Sequence, residues 1–180
     1  MGAAKVNSST REDVGLRLLG FLALLGIVTM AGGCAPVISQ ETLKAVDEGL
    51  DFEAVLENPE RYLGASVLLG GDIIETLPVP GETQMLVLQH PLGFRNKPSK
   101  EKGSKGRFIV VAQGFMDPAI YRSGRQVTVV GRVAGKDVRP IGEIEYAYPL
   151  IEMTEIYLWP SEEAVNEPRF YFGVGIGKTF

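Results

Sequence analysis

The 180-residue chain holds one cysteine, Cys34, and one histidine, His90. A zinc finger, an iron–sulfur cluster and a disulfide framework each need several such side chains, so all three are excluded. Positive charge is also in short supply: 18 Lys and Arg stand against 22 Asp and Glu, a net charge of -4. A protein that coats nucleic acid needs a basic surface to replace the counterions of the phosphates, so nucleic acid is not an expected partner. Long hydrophobic runs are missing everywhere except near the start. The rest is the composition of one ordinary globular domain, 45% hydrophobic and 22% charged.

The one long apolar run comprises the sixteen uncharged residues 18–33, LLGFLALLGIVTMAGG, behind Lys5, Arg11 and Arg17. A permanent helical span needs about 20 apolar residues, so this run is short for one. It suits a secretory signal, although Glu12 and Asp13 dilute the basic leader. The run ends at Ala31-Gly32-Gly33, directly before Cys34. That arrangement resembles a bacterial lipobox, with Ala31 where Leu is usual. It implies cleavage before Cys34, a diacylglycerol thioether on its sulfur and an N-acyl chain on its amino group. Myristoylation at Gly2 is excluded because Val6 stands where the motif requires Ser or Thr. Each buried methylene contributes about 0.8 kcal/mol, so two or three acyl chains anchor effectively for good. Ala35, rather than Asp, follows the cysteine, which favours export to the outer membrane over retention in the inner one. Cleavage would remove three basic and two acidic side chains and leave 147 residues with 15 basic and 20 acidic groups.

The mature part then reads as a tether over residues 34–50, a barrel domain over 51–160, and an acidic linker with a Gly/aromatic tail over 161–180. Phe52, Val55 and Leu56 recur at helical spacing behind the cap residue Asp51. Pro59 starts a further turn that ends at Gly64. Beyond it the period changes to that of strands, at 65–77, 84–90, 106–113, 125–135 and 148–159. Gly70-Gly71 inside the first marks a bulge or sharp bend, and residues 78–81 a turn. Asp117-Pro118 with Gly124 predicts a short helix between the third and fourth strands. Three strands, a helix and two strands is the chain order of an OB-type barrel. The expected fold is therefore mainly β, a small five-stranded OB-like antiparallel barrel with one or two short helices after the signal segment. The terminal alternation of residues 170–180 reads as an edge strand or a tail packed on the domain, since one strand closes no membrane barrel.

Chemistry-bearing candidates are few. Residues 90–107 carry Arg95, Lys97, Lys100, Lys102, Lys105 and Arg107 against only Glu101. Such a block suits headgroup phosphates or lipopolysaccharide; its plainer reading is a flexible, solvated loop. OB barrels often bind single strands, but that needs aromatic platforms on the central strands. The segment QMLVLQH has none, and the next strand has only Phe108. The acid pairs Asp72/Glu75 and Glu143/Glu145 read as surface acids rather than a catalytic pair, and His90 as a turn residue. Gly177-Lys178-Thr179 matches the end of a phosphate loop, but Phe172 replaces its first glycine and no helix can follow. No catalytic residue, metal ligand or cofactor site is expected.

Several ordered blocks together resemble the Slp family of bacterial outer-membrane lipoproteins, the starvation-inducible type. They are Pro59-Glu-Arg-Tyr62 with Gly64, Gly70-Gly71-Asp-Ile73, Gly106-Arg-Phe108, Gly114-Phe-Met-Asp-Pro118 with Tyr121, Gly124-Arg-Gln-Val-Thr-Val-Val-Gly131, Tyr146-Ala-Tyr-Pro149 and Tyr157-Leu-Trp159. The resemblance implies a lipid-anchored protein of the outer membrane without enzymatic activity, in which only Cys34 transfers as a functional position. It leaves two expectations: a structural or stress-related envelope component, or a module that holds an envelope glycan or lipid through its barrel loops. The module's contact surfaces would be residues 78–83, the basic loop and residues 134–148.

Overall fold

The structure, a computed structural model, describes residues 36–161. The signal segment, Cys34 and the Gly/aromatic tail lie outside the described residues.

Two short helices come first, α1 (Gln40–Lys44) and α2 (Phe52–Glu57). Ser39 caps α1 by accepting from the Thr42 amide, and Asp51 caps α2 by accepting from the Ala54 amide at 2.9 Å. Five strands follow: β1 (Ser66–Val79), β2 (Glu82–Gln89), β3 (Arg107–Gln113), β4 (Gln126–Ile141) and β5 (Ile144–Leu158). They close in the order β1-β2-β3-β5-β4, antiparallel throughout except for the parallel pair β3–β5. This is the OB-type order the sequence predicts, with one parallel seam in place of an all-antiparallel barrel.

Alternation puts Thr83, Met85 and Val87 of β2 inside and Gln84, Leu86 and Leu88 outside. Val67, Leu69, Phe108, Val110, Val127, Val129 and Ile151 fill the interior with them. Phe52 and Val55 of α2 enter this core, and the Phe52 ring lies 5.8 Å from that of Phe108. Met116 joins it from the segment after β3.

Several local expectations change. Residues 117–124 make two short turns instead of a helix: the Asp117 carbonyl accepts from the Ile120 and Tyr121 amides, and the Arg122 carbonyl accepts from the Arg125 amide. Gly124 donates to Ile73 O and Ile73 donates to Arg125 O, so the segment is tied to β1 too soon for a helix to propagate beyond its costly first turn. β1 runs through Pro78 to Val79, and the turn shrinks to Pro80-Gly81, with Gly81 at φ +89°. Beyond Asp72, β1 has left β4 and is paired along its length only by β2, so Pro78 deprives no second neighbour of an amide. The bulge in β1 lies between Ile73 and Glu75; pairing stays regular through Gly70 and Gly71. Residues 134–148, expected as loop, are mostly the outer half of a β4–β5 hairpin that turns at Gly142-Glu143.

The segment 36–50 lies along the barrel. Ile38 is fully buried, the Ser39 amide and hydroxyl both donate to the Glu155 carboxylate, and the Ser66 amide donates to Asp47. A free tether over these residues is not what the chain forms.

Candidate functional site

The basic stretch between β2 and β3 is ordered by its own backbone and by the barrel beneath it. Leu92 bridges to Pro98, the Gly93 amide donates to Lys97 O, and Ser99 donates to Pro91 O. From below, Thr128 donates its hydroxyl to Asn96 O at 2.7 Å and accepts from the Trp159 indole N–H at 2.9 Å. Gln126 donates to Pro98 O at 3.4 Å. Pro98 and Leu92 rest on Gly70, where a Cβ would come within 2.7 Å of Leu92 and 2.9 Å of Pro98. Gly70 thus makes the seat for this loop. The solvated, flexible loop considered from sequence is replaced by a pinned one.

Within that frame the cations separate. Lys100 pairs with Asp72 at 3.0 Å, and Lys105 pairs with Glu53 of α2. The Lys97 ammonium lies over the Trp159 ring, 5.7 Å from its centroid. Arg95 stands at φ 57° and Asn96 at φ 60°, both left-handed, in the tip that leaves Phe94 85 % exposed. Such a backbone costs of order 1 kcal/mol or more per residue, and the hydrogen bonds around the tip hold it. Lys102 is exposed in a 3-10 turn (Lys100–Lys102), whereas Arg107 belongs to β3, where its amide donates to the Tyr146 hydroxyl. The six predicted basic residues therefore form no single patch: Arg95, Lys97 and Lys100 belong to the tip and its flank, and the others lie further along. Lys100 also borders a cleft of about 290 Å³ with Arg122 and Arg125, two cations the sequence reading passed over. Phe94 was passed over as well, although a lone Phe inside a basic run was a visible signal.

The outer face of β1, β2 and β3, next to the loops that OB barrels use for ligands, is occupied by the chain itself. Arg139 of β4 donates to Gln84 Oε1 at 2.5 Å and to Asp137 at 2.7 Å, and Gln84 donates to Glu82. Ile109, whose neighbours in β3 face the core, is buried on this outer side beside Leu86 and Arg139. Only a shallow depression remains there.

Of the acids and the histidine singled out from the sequence, only Asp72 and His90 come together. His90 donates from Nδ1 to Gly103 O at 3.0 Å, leaving Nε2 3.5 Å from the Asp72 carboxylate. Glu75 faces the depression with Gln84 and Arg139, away from that cluster. Glu143 is in the β4–β5 turn and Glu145 pairs with Pro140 at its tip. Among the described residues no three His, Cys, Asp or Glu side chains converge on a metal-sized site. Glu155 is held below the ordinary carboxylate range, chiefly by the Thr42 hydroxyl, then by the Ser39 amide and hydroxyl, with burial opposing.

A closed β-barrel preceded by a signal-like run and a lipobox-like cysteine defines the class of a bacterial envelope lipoprotein. A family model described as "Outer membrane lipoprotein Slp family" matches residues 31–175, and the chain belongs to that family, which places it at the outer membrane. Two Escherichia coli K12 relatives bear on this. "Uncharacterized lipoprotein YeaY" is 28% identical over 152 residues, 81% of this chain and 78% of that one. "Outer membrane protein Slp" is 29% identical over 126 residues, 70% of this chain and 66% of that one. A Haemophilus influenzae protein is 33% identical over 104 residues, 57% of this chain and 56% of its own length. Among solved structures, Schizosaccharomyces pombe Pot1pC bound to ssDNA matches at a TM-score of 0.28 and 14% identity, over 57% of this chain and 82% of that one. A likeness of that size carries no argument about ligands.

Proposed function

We propose that the protein is a non-enzymatic, structural or stress-related component of the outer-membrane envelope, held there by diacylglycerol and N-acyl chains on Cys34. The carrying observation is the family match over residues 31–175, together with a site that gathers no larger catalytic set: His90 meets Asp72, Lys100 pairs with the same carboxylate, and among the described residues no cluster of three His, Cys, Asp or Glu forms there. The test is the mass of the mature N-terminus from fractionated membranes, beside a Cys34→Ala variant. A chain that begins at acylated Cys34 in the outer-membrane fraction, and is lost from it in the variant, is the expected result. An unmodified Cys34 with residues 1–33 retained overturns the anchor.

A second reading is a module that holds an envelope glycan or lipid through barrel loops. The preorganised tip at Phe94, flanked by Arg95 and Lys97, favours it, because a ligand would pay little to order a loop that is already pinned. On the outer face of β1–β3, Arg139 bonded to Gln84 and Asp137 occupies part of the surface beside residues 134–148.

A further inference from the structure

Two features dock side by side on one outer face of the barrel. The first is the N-terminal segment, which Ser39 fastens to Glu155, the residue opposite Val130 in the β4–β5 ladder. The second is the β2–β3 loop, which Asn96 fastens to Thr128, opposite Tyr157. Thr128 and Val130 are both buried and alternate with Val127 and Val129, which point into the core. The two attachment points are thus on the same face, two residues apart along β4, or about 7 Å.

That juxtaposition links the tip to the membrane. Cys34 precedes Ile38, the first buried residue, by four residues, and four residues span at most about 14 Å. A lipid on Cys34 would therefore enter the bilayer within that reach of the point where the chain docks. The same face presents Phe94, 85 % exposed, on a rigid tip with Arg95, Lys97 and Lys100 around it, in a chain whose net charge is -4. An aromatic ring that enters the interface and cations that meet phosphates are the two contributions that hold a protein surface against anionic lipid.

We propose that this face lies on the lipid surface, with Phe94 in the membrane interface and Arg95 and Lys97 against headgroup phosphates. The anchor is then one of two contacts, and the barrel is oriented rather than freely suspended. This rests on acylation of Cys34 and on the loop-binding reading, and names lipid as what the loop meets.

The chain's single cysteine makes the test direct, because a thioether at Cys34 leaves no free thiol. Phe94→Cys in the acylated protein provides one labelling site for an environment-sensitive fluorophore, and Ile144→Cys, at the exposed hairpin tip, provides the control. Both go into vesicles of phosphatidylethanolamine and phosphatidylglycerol, and mass spectrometry verifies the acyl chains. The expected result is blue-shifted emission at position 94, quenched by brominated acyl chains several-fold more than at 144. Aqueous emission at 94 on a verified acylated chain overturns the orientation and leaves the anchor standing. A mass without acyl chains overturns both, and the two failures are told apart by that mass. In a mature chain that begins at Ala35, without the signal run or acyl chains, Lys97→Gln is expected to lower partitioning onto the same vesicles about fivefold, the effect of one cation near an anionic surface. Unchanged partitioning overturns the headgroup contact.

Discussion

Single residues decide whether this barrel closes. A Cβ on Gly71 would run into the Leu88 carbonyl, and one on Gly131 into the Glu152 carbonyl. Backbone cannot move aside in a closed ladder as a flexible side chain can. Gly71→Ala is therefore expected to cost about 3 kcal/mol or more, whereas Gly70→Ala meets the side chains of Leu92 and Pro98 first, with the Val127 carbonyl at 3.0 Å, and is expected to cost less and to loosen the loop. Chemical denaturation of the two variants reads the difference. The sequence marked this glycine pair as a bulge or a sharp bend. The bulge belongs to Ile73–Glu75, and Gly71 is needed because two backbones approach where β1 passes from β4 to β2. A close approach from another strand leaves no local pattern, whereas a turn glycine such as Gly81 does. Glu155 belongs to the same scale. Its folded carboxyl titrates below the ordinary range because the ionised form accepts bonds from Thr42 and Ser39. The resulting stabilisation is complete above the ordinary glutamate value, about 4.3, and is lost as pH falls through the lowered one. Carboxyl chemical shifts followed through an acid titration should place Glu155 below the ordinary glutamate value, and Glu155→Gln should remove the pH dependence of the Ser39 amide signal.

At the level of elements, caps and turns were legible because their chemistry is local. Asp51 before an apolar run, Pro80-Gly81 between strands and the helical spacing of Phe52, Val55 and Leu56 each name their conformation within a few residues. The turns at 117–124 were misread for the converse reason. Asp117-Pro118 does open a helical turn, but the bonds that stop it come from Ile73, more than 40 residues away. The β2–β3 loop shows the same division. Its charge was readable, whereas its rigidity comes from Thr128, Gln126 and Gly70, which no inspection of residues 90–107 would reveal. Likewise, the fourth strand reads as ending at Gly135, whereas β4 continues to Ile141 because Gly135 and Pro140 stand where it is paired only by β5.

For the whole molecule, the segment before α2 is part of the cooperative unit. Ile38 is fully buried outside the central cluster, so Ile38→Ala is expected to lower stability by about 2–5 kcal/mol. It should do so within one transition; a separate early loss of α1 followed by an unchanged barrel transition would show a segment that merely rests on the surface. The sequence by itself determined the signal-like run, the candidate lipid site at Cys34, the order of strands and the family, because each is written in composition, spacing or ordered blocks along the chain. Only the tertiary structure decided which basic residues remain together, which face of the barrel is closed by Arg139, and that the N-terminal segment and the Phe94 tip share a face. Those are relations between strands distant in sequence, set by β-ladder register, and register is fixed only when the barrel closes.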